Sequence, residues 1–301
     1  MADVLLPATL TAALAAALTA ALTLGAPRAL AAQQPGAPAP LAPGHGRPPH
    51  AFRVCADPDA MPFSDQEREG FENRIAALLA QDLGDSLSYV WWPTRRGFVR
   101  MTLGSEACDI IMGTPQGYDL VLQTQPYYRS AYVAVTRQDR HLRITSLDDT
   151  LLKSLRIGVN TIGDNYENTP PAHALGARGI NQRIVGFTTF YNQEHHPGDI
   201  VDAVAKGTID VAIVWGPIGG YFARRSSVPL DVTMLPDTDR VTGFPLAYGV
   251  TLGVRRSDRG LRDTLDQALT RRRGDIDRIL RDYGVPLLPL APGSAAGAPA
   301  H

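Results

Sequence analysis

Apolar positions along the chain alternate between a period of two and a period of three to four. The run Phe52-Arg53-Val54-Cys55-Ala56 reads as a strand. Phe71, Ile75, Leu78, Leu79 and Leu83 then recur at helical spacings, marking an amphipathic helix that Gly84 ends. Tyr89-Val90-Trp91 predicts a strand, residues 97–103 a short helix, and Ile110-Ile111-Met112 a buried strand. This βαβαβ beginning is the pattern of a parallel sheet covered on both faces. Residues 132–135 give another strand, followed by a helix signal at 146–149. A second, similar set follows: strand 156–159, helix 172–176, strand 184–187, helix 200–206 and strand 211–215. Strand 248–254 and helices 260–269 and 275–283 complete the pattern, which predicts an α/β protein of two similar lobes.

The ends of the chain read differently. Residues 4–24 form an Ala/Leu-rich apolar stretch, and Ala29-Leu30-Ala31 offers a small-x-small cleavage site, so 1–32 is predicted to be a signal peptide, with export to the periplasm. Asp3 and the lack of Lys or Arg before the stretch depart from that pattern, and a retained anchor is the alternative. Residues 33–50 and 291–301 are rich in Pro, Gly and Ala without a hydrophobic period, a disordered linker and tail by composition. No second apolar stretch is long enough to span a bilayer, so no membrane part is expected after signal removal. The 29 basic and 30 acidic residues give a net charge of -1, which removes the broad electrostatic footprint of a nucleic-acid binder. Only Lys153 and Lys206 are lysines, so positive charge is almost wholly guanidinium, suited to fixed pairing geometries. Cys55 and Cys108 are the sole cysteines; an even pair in an exported chain favours a disulfide, two separate buried thiols being the alternative. If their strands are neighbours in a parallel sheet, the bridge is sterically reasonable.

Several motifs, in order, carry a resemblance. Asp57-x-x-x-Met61-Pro62-Phe63-Ser64, Gly70-Phe71-Glu72, Cys108-Asp109-Ile110-Ile111-Met112-Gly113 and Gln125-Pro126-Tyr127-Tyr128 resemble the first lobe of family 3 bacterial solute-binding proteins. Gly207-Thr208-Ile209-Asp210-Val211-Ala212, Gly216-Pro217 and Tyr248-Gly249-Val250 resemble its second lobe and return crossing. The resemblance implies a two-lobed periplasmic-binding-protein clamshell with two hinge-crossing strands, divided as 51–135 with 244–290 in lobe 1 and 136–243 in lobe 2. Narrower strings, Val54-Cys55-Ala56-Asp57-Pro58, Trp91-Trp92-Pro93-Thr94-Arg95-Arg96-Gly97-Phe98-Val99-Arg100 and Pro126-Tyr127-Tyr128-Arg129-Ser130, are similar to the MoxJ/XoxJ group. That resemblance implies a periplasmic accessory role for a quinoprotein (PQQ-dependent) alcohol dehydrogenase, which would be the partner.

Amino-acid receptors of this fold hold the ligand carboxylate with an arginine where this chain reads Thr114-Pro115-Gln116-Gly117. Their ammonium-binding aspartate aligns with Trp215, and their aromatic residue with Ala60. Three departures at three recognition points argue against a free amino acid. The resemblance leaves Asp57, Met61, Phe63 and Thr114 as cleft residues, Arg95 and Arg96 as cleft cations, and Trp92, Tyr127, Tyr128 and Trp215 as aromatic wall. The alternative reading makes Trp91 and Phe98 core and leaves both arginines on the surface. Asn160-Thr161-x-Gly163 would present donors to a ligand, or form a plain turn. The ligand is then a small molecule or a peptide segment. Glu194-His195-His196 is a poor chelator, because neighbouring side chains diverge by about 100° on a helix and face opposite ways on a strand. HExxH, GxSxG, a P-loop and GxGxxG are absent, so no catalytic residue, metal site or cofactor of its own is expected. A solute receptor for an importer is the competing function.

Overall fold

The computed structural model describes residues 50–161 and 168–290. The predicted signal peptide, the linker except His50, the tail, and Gly163 of the Asn160 motif lie outside the described residues. The elements are β1 (Ala51–Ala56), β2 (Asp59–Ala60), β3 (Ser64–Asp65), α1 (Phe71–Leu83), β4 (Ser86–Trp91), α2 (Phe98–Met101), β5 (Ile110–Pro115), β6 (Leu122–Gln123) and β7 (Tyr128–Arg137). They continue with β8 (Ile157–Thr161), α3 (Pro170–Ala177), β9 (Ile184–Thr188), α4 (Asp199–Ala205), β10 (Val211–Trp215), α5 (Gly216–Arg225), β11 (Leu230–Met234), β12 (Ala247–Val254), α6 (Arg259–Arg271) and α7 (Arg273–Asp282).

The strands run in the order β4-β1-β5-β12-β7-β10-β8-β9, with β6 beside β12 and β11 beside β7. β1 is parallel to β4 and β5, and β8 is parallel to β10 and β9. β12 runs antiparallel to both β5 and β7. The ten residues of β7 serve two sheets: Tyr128 to Ala131 pair with β12, while Tyr132 to Thr136 pair with β10. At the change of partner, Tyr132 donates its N–H to Leu246 O and accepts from Leu235 N–H, so the outgoing strand and the returning segment are bonded where the chain passes between lobes.

Alternation within each strand fills separate cores on its two faces. In lobe 1, Val54, Ile110 and Met112 join Phe71, Ile75 and Leu79 of α1, together with Leu265 of α6 and Ile276 and Leu280 of α7. Cys55 and Ile111 point the other way, into a smaller cluster with Phe98, Leu103, Cys108 and Val121. β1 and β5 are neighbours, with Cys55 opposite Ile111, and Cys55 and Cys108 form a disulfide with their Cα atoms 5.6 Å apart. Around β8 and β10, Ile157, Val159, Val211 and Ile213 pack with α3, while Val133 and Val135 of β7 join Ala212 and Val214 in packing with α4 and with Ile218 of α5.

α1 occupies the predicted span and ends as predicted: Gly84 adopts φ 68°, the left-handed conformation that glycine enters without a Cβ penalty. At its start, Asn73 Oδ1 accepts from Gly70 N–H, satisfying a backbone donor that the helix leaves unpaired. The helix signal at 146–149 resolves into a short 3₁₀ turn, Thr150–Lys153, capped by Asp149. Residues 216–243 carry elements the hydrophobic pattern did not predict, α5 and β11. Gly216-Pro217 and Gly219-Gly220 look like helix breakers, yet a Cβ at Gly219 would lie 2.5 Å from Val133 and one at Gly220 would lie 2.1 Å from Gly284 O. Those glycines allow α5 to lie close against the sheet and the end of α7, an intimacy worth more than their low helix propensity costs.

Candidate functional site

Lobe 1 and lobe 2 residues together line a cavity of about 830 Å³. Its floor comes from the ends of β1 and β5 and the start of β7: Ala56, Asp57, Met112, Gly113, Thr114 and Tyr128. Open α/β sheets place ligands at such carboxyl ends of strands because loops, and not paired backbone, begin there. Residues 94–100, between β4 and the end of α2, supply one rim, and Tyr132, Thr189, Tyr191 and Trp215 supply the other.

Of the residues expected from sequence, Asp57, Phe63, Arg95, Arg96, Thr114, Tyr128 and Trp215 line this cavity. Met61, Trp92, Tyr127, Asn160 and Thr161 are not among its lining residues. Trp92 packs against the cluster around Cys55 and Cys108. Tyr127 is buried behind the floor. Asn160 and Thr161 line a different cavity, of about 460 Å³, beside His195, His196 and Asp199 in lobe 2. Trp91, core in the alternative reading, packs on the lobe 1 core and stacks on Tyr89 at 4.6 Å.

Asp57 organises the charged rim. Its carboxylate is buried and accepts Thr94 N–H at 2.5 Å and Asp59 N–H at 3.0 Å, which ties the turn carrying Arg95 and Arg96 to the end of β1. Thr114 is satisfied within the sheet, its hydroxyl 2.7 Å from that of Thr251. Ala60 and Trp215, at the positions where the family resemblance implies an aromatic ring and an aspartate, both line the cavity. Trp215 makes edge contacts with Tyr132 at 5.4 Å and Tyr248 at 5.9 Å. Phe63, which follows the cis Met61–Pro62 peptide, packs against both the lobe 1 core and the α4–α5 core of lobe 2.

Glu72 is a cavity residue that sequence reasoning did not single out. It is 7% exposed and lies over Gly113, whose absent Cβ would stand 2.4 Å from Glu72 Oε1. The Tyr127 hydroxyl donates to that oxygen at 3.3 Å. Burial pushes the Glu72 carboxyl up to about 8, opposed by the Tyr127 hydrogen bond, so it is mostly protonated at neutral pH. A signal was present: Glu72 shares the buried stripe of Ala76 and Leu79, at spacings of four and seven, where an acid is out of place. Arg100, Tyr132, Tyr191 and Tyr248 also line the cavity and were missed as site residues. Among the described residues no group of three or more His, Cys, Asp or Glu is placed to hold a metal ion.

Two α/β lobes joined by two crossing segments, with a cavity between them at the strand ends, define a binding protein of the periplasmic-binding-protein clamshell class. The chain belongs to the bacterial extracellular solute-binding proteins, family 3, whose family model matches residues 52–286. It is 32% identical over 249 residues to Protein MoxJ of Methylorubrum extorquens, covering 80% of this chain and 82% of that protein. Protein MoxJ of Paracoccus denitrificans is 33% identical over 252 residues, covering 79% and 89% of the two chains. The crystal structure of periplasmic binding protein XoxJ from Methylobacterium extorquens AM1 superposes with a TM-score of 0.66 at 36% identity, over 80% of this chain and 100% of that one.

Proposed function

We propose that this protein is a periplasmic, non-catalytic accessory factor of a PQQ-dependent methanol or other alcohol dehydrogenase, assisting its maturation or activation by protein–protein binding. The observation that carries the reading is a receptor fold, shared with MoxJ and XoxJ proteins, with Ala60 and Trp215 at two recognition positions of its cavity and no lobe 2 carboxylate among the described lining residues. The partner would be met at the rim where Arg95 and Arg96 stand exposed, with Trp92 fixing the strand beneath them. Hinged lobes can clasp and release a segment of an immature enzyme, provided they bind immature and mature forms with different affinity. The competing reading, a receptor delivering a solute other than an amino acid to an importer, is favoured by the presence of the cavity itself.

Affinity capture from the periplasm of cells grown on a one-carbon substrate tests the accessory reading, and co-purification of the dehydrogenase is the expected result. Arg96→Ala should weaken that association by about 1 to 3 kcal/mol if the residue is an interface hot spot. The reading fails if deleting the gene leaves dehydrogenase activity and cofactor content unchanged and purified proteins do not associate. Among the described residues no helix is long and apolar enough to cross a membrane.

A further inference from the structure

The cavity lining is chemically lopsided. Arg95, Arg96 and Arg100 reach one rim with exposed side chains, and among the described residues none of the three guanidinium groups has a hydrogen-bond or ion-pair partner. Some arginines elsewhere are matched to aspartates: Asp109 serves Arg53 and Arg255, Asp82 serves Arg271 and Arg272, and Asp210 serves Arg140 and Arg156. Others, such as Arg143, Arg183 and Arg240, also have no side-chain partner among the described residues, so it is the gathering of three at one cavity rim that sets Arg95, Arg96 and Arg100 apart. Among the described residues, the opposite wall, Tyr132, Thr189, Tyr191 and Trp215, contributes no charged lining residue. At the floor Glu72 is 93% buried; its Oε1 receives the Tyr127 hydroxyl, and Oε2 has no partner among the described residues. Asp57 is already engaged by two backbone N–H groups.

We propose that the cavity takes a small planar aromatic polycarboxylate without a free ammonium group. Its carboxylates pair with Arg95, Arg96 and Arg100, its ring lies against Trp215, Tyr132 and Tyr248, and one oxygen meets the Glu72 carboxyl. The proposal rests on the cavity being the functional site, a premise shared by the accessory and receptor readings. Three physical arguments select this class. Guanidinium forks pair bidentately with carboxylates, and three on one rim suit a ligand with several along one edge. Aromatic walls favour edge and offset contacts with another ring. The volume of about 830 Å³ is that of a site for a drug-sized molecule. An extended peptide is disfavoured because it brings an N–H and a C=O per residue, while the hydroxyl side chains among the lining residues beyond the tyrosines are Ser64, Thr94, Thr114 and Thr189.

Titration calorimetry of the whole mature protein tests this with trimesate and a quinoline dicarboxylate as probes, and the saturated cyclohexane tricarboxylate and polyglutamate as controls. Saturable binding of an aromatic acid is expected, about tenfold or more tighter than the saturated analogue, a ratio set by loss of the ring contact. Arg96→Gln should weaken it by about tenfold, and the combined Arg95, Arg96 and Arg100 to Gln variant by about a hundredfold or more. These side chains are exposed, so an unchanged melting temperature reports an intact fold. Trp215→Leu separately removes the ring contact and should narrow the gap between trimesate and its saturated analogue. The proposal is overturned by absence of saturable binding to both aromatic acids, by equal affinity in the triple variant, or by tighter binding of polyglutamate. A dehydrogenase complex that persists while these acids fail to bind sinks this inference and leaves the accessory reading standing; binding without a complex does the reverse.

Discussion

Replacing Glu72 by Gln should change how the stability of lobe 1 depends on pH. The carboxyl is buried against Gly113 and Tyr127, and its folded-state value is pushed from the ordinary 4.5 up to about 8. Because the value is raised, the folded protein retains a proton that the unfolded chain releases, and stability falls as pH rises between those two values. At 1.36 kcal/mol per pKa unit, the loss between about pH 5 and about pH 8 amounts to roughly 3 kcal/mol. Gln keeps the volume and an acceptor for Tyr127 but cannot ionise. The two proteins should therefore be similar in stability near pH 5, with the variant ahead by roughly 3 kcal/mol near pH 8. Denaturant titrations followed by tryptophan fluorescence, with the disulfide intact, give the difference directly. The opposite shifts act elsewhere: arginine pairing holds Asp82, Asp109, Asp210 and Asp239 below the carboxylate range, so their contributions are lost only as pH falls through acid values. Parallel stability curves for wild type and variant across the window would show that Glu72 is ionised in the folded state and refute the reasoning.

Other outcomes follow from the same geometry. Non-reduced peptide mapping should recover Cys55 linked to Cys108, and Ser at both positions should cost up to about 4 kcal/mol, since the bridge closes a separation of 53 residues; two alkylatable thiols in the native oxidised protein would contradict it. Gly113→Ala should destabilise by about 1 to 3 kcal/mol, because φ is 71° and the new Cβ meets the Glu72 carboxyl at 2.4 Å; thermal melts showing no change would mean that Glu72 swings away freely. Calorimetry against the standard amino acids should show no micromolar binder, because among the described residues the lobe 2 wall offers no carboxylate to an ammonium group and an unpaired buried charge costs several kcal/mol.

Local patterning was enough to find most elements, because a strand or helix that buries one face must repeat its apolar residues at that element's own period. Phe71, Ile75 and Leu79 lie on the buried face of α1, and Val54 and Cys55 face opposite sides of β1, as their spacing in the chain requires. The motifs at Asp57, Phe63, Thr114 and Trp215 also indicated which loops would converge, and those four residues do line one cavity. Tertiary contacts decided the rest. α5 could not be read from Gly216, Gly219 and Gly220, because their value lies in a close approach to β7 and Gly284 that no local window contains. Trp92 and Arg96 are four residues apart on one motif, yet Trp92 joins the disulfide cluster and Arg96 the cavity rim, a division set by where the chain leaves β4 after Trp91. The acid at Glu72 is an exception within an apolar stripe in the sequence; only the fold brings Gly113 and Tyr127 to it from distant strands, and that desolvated company determines its charge.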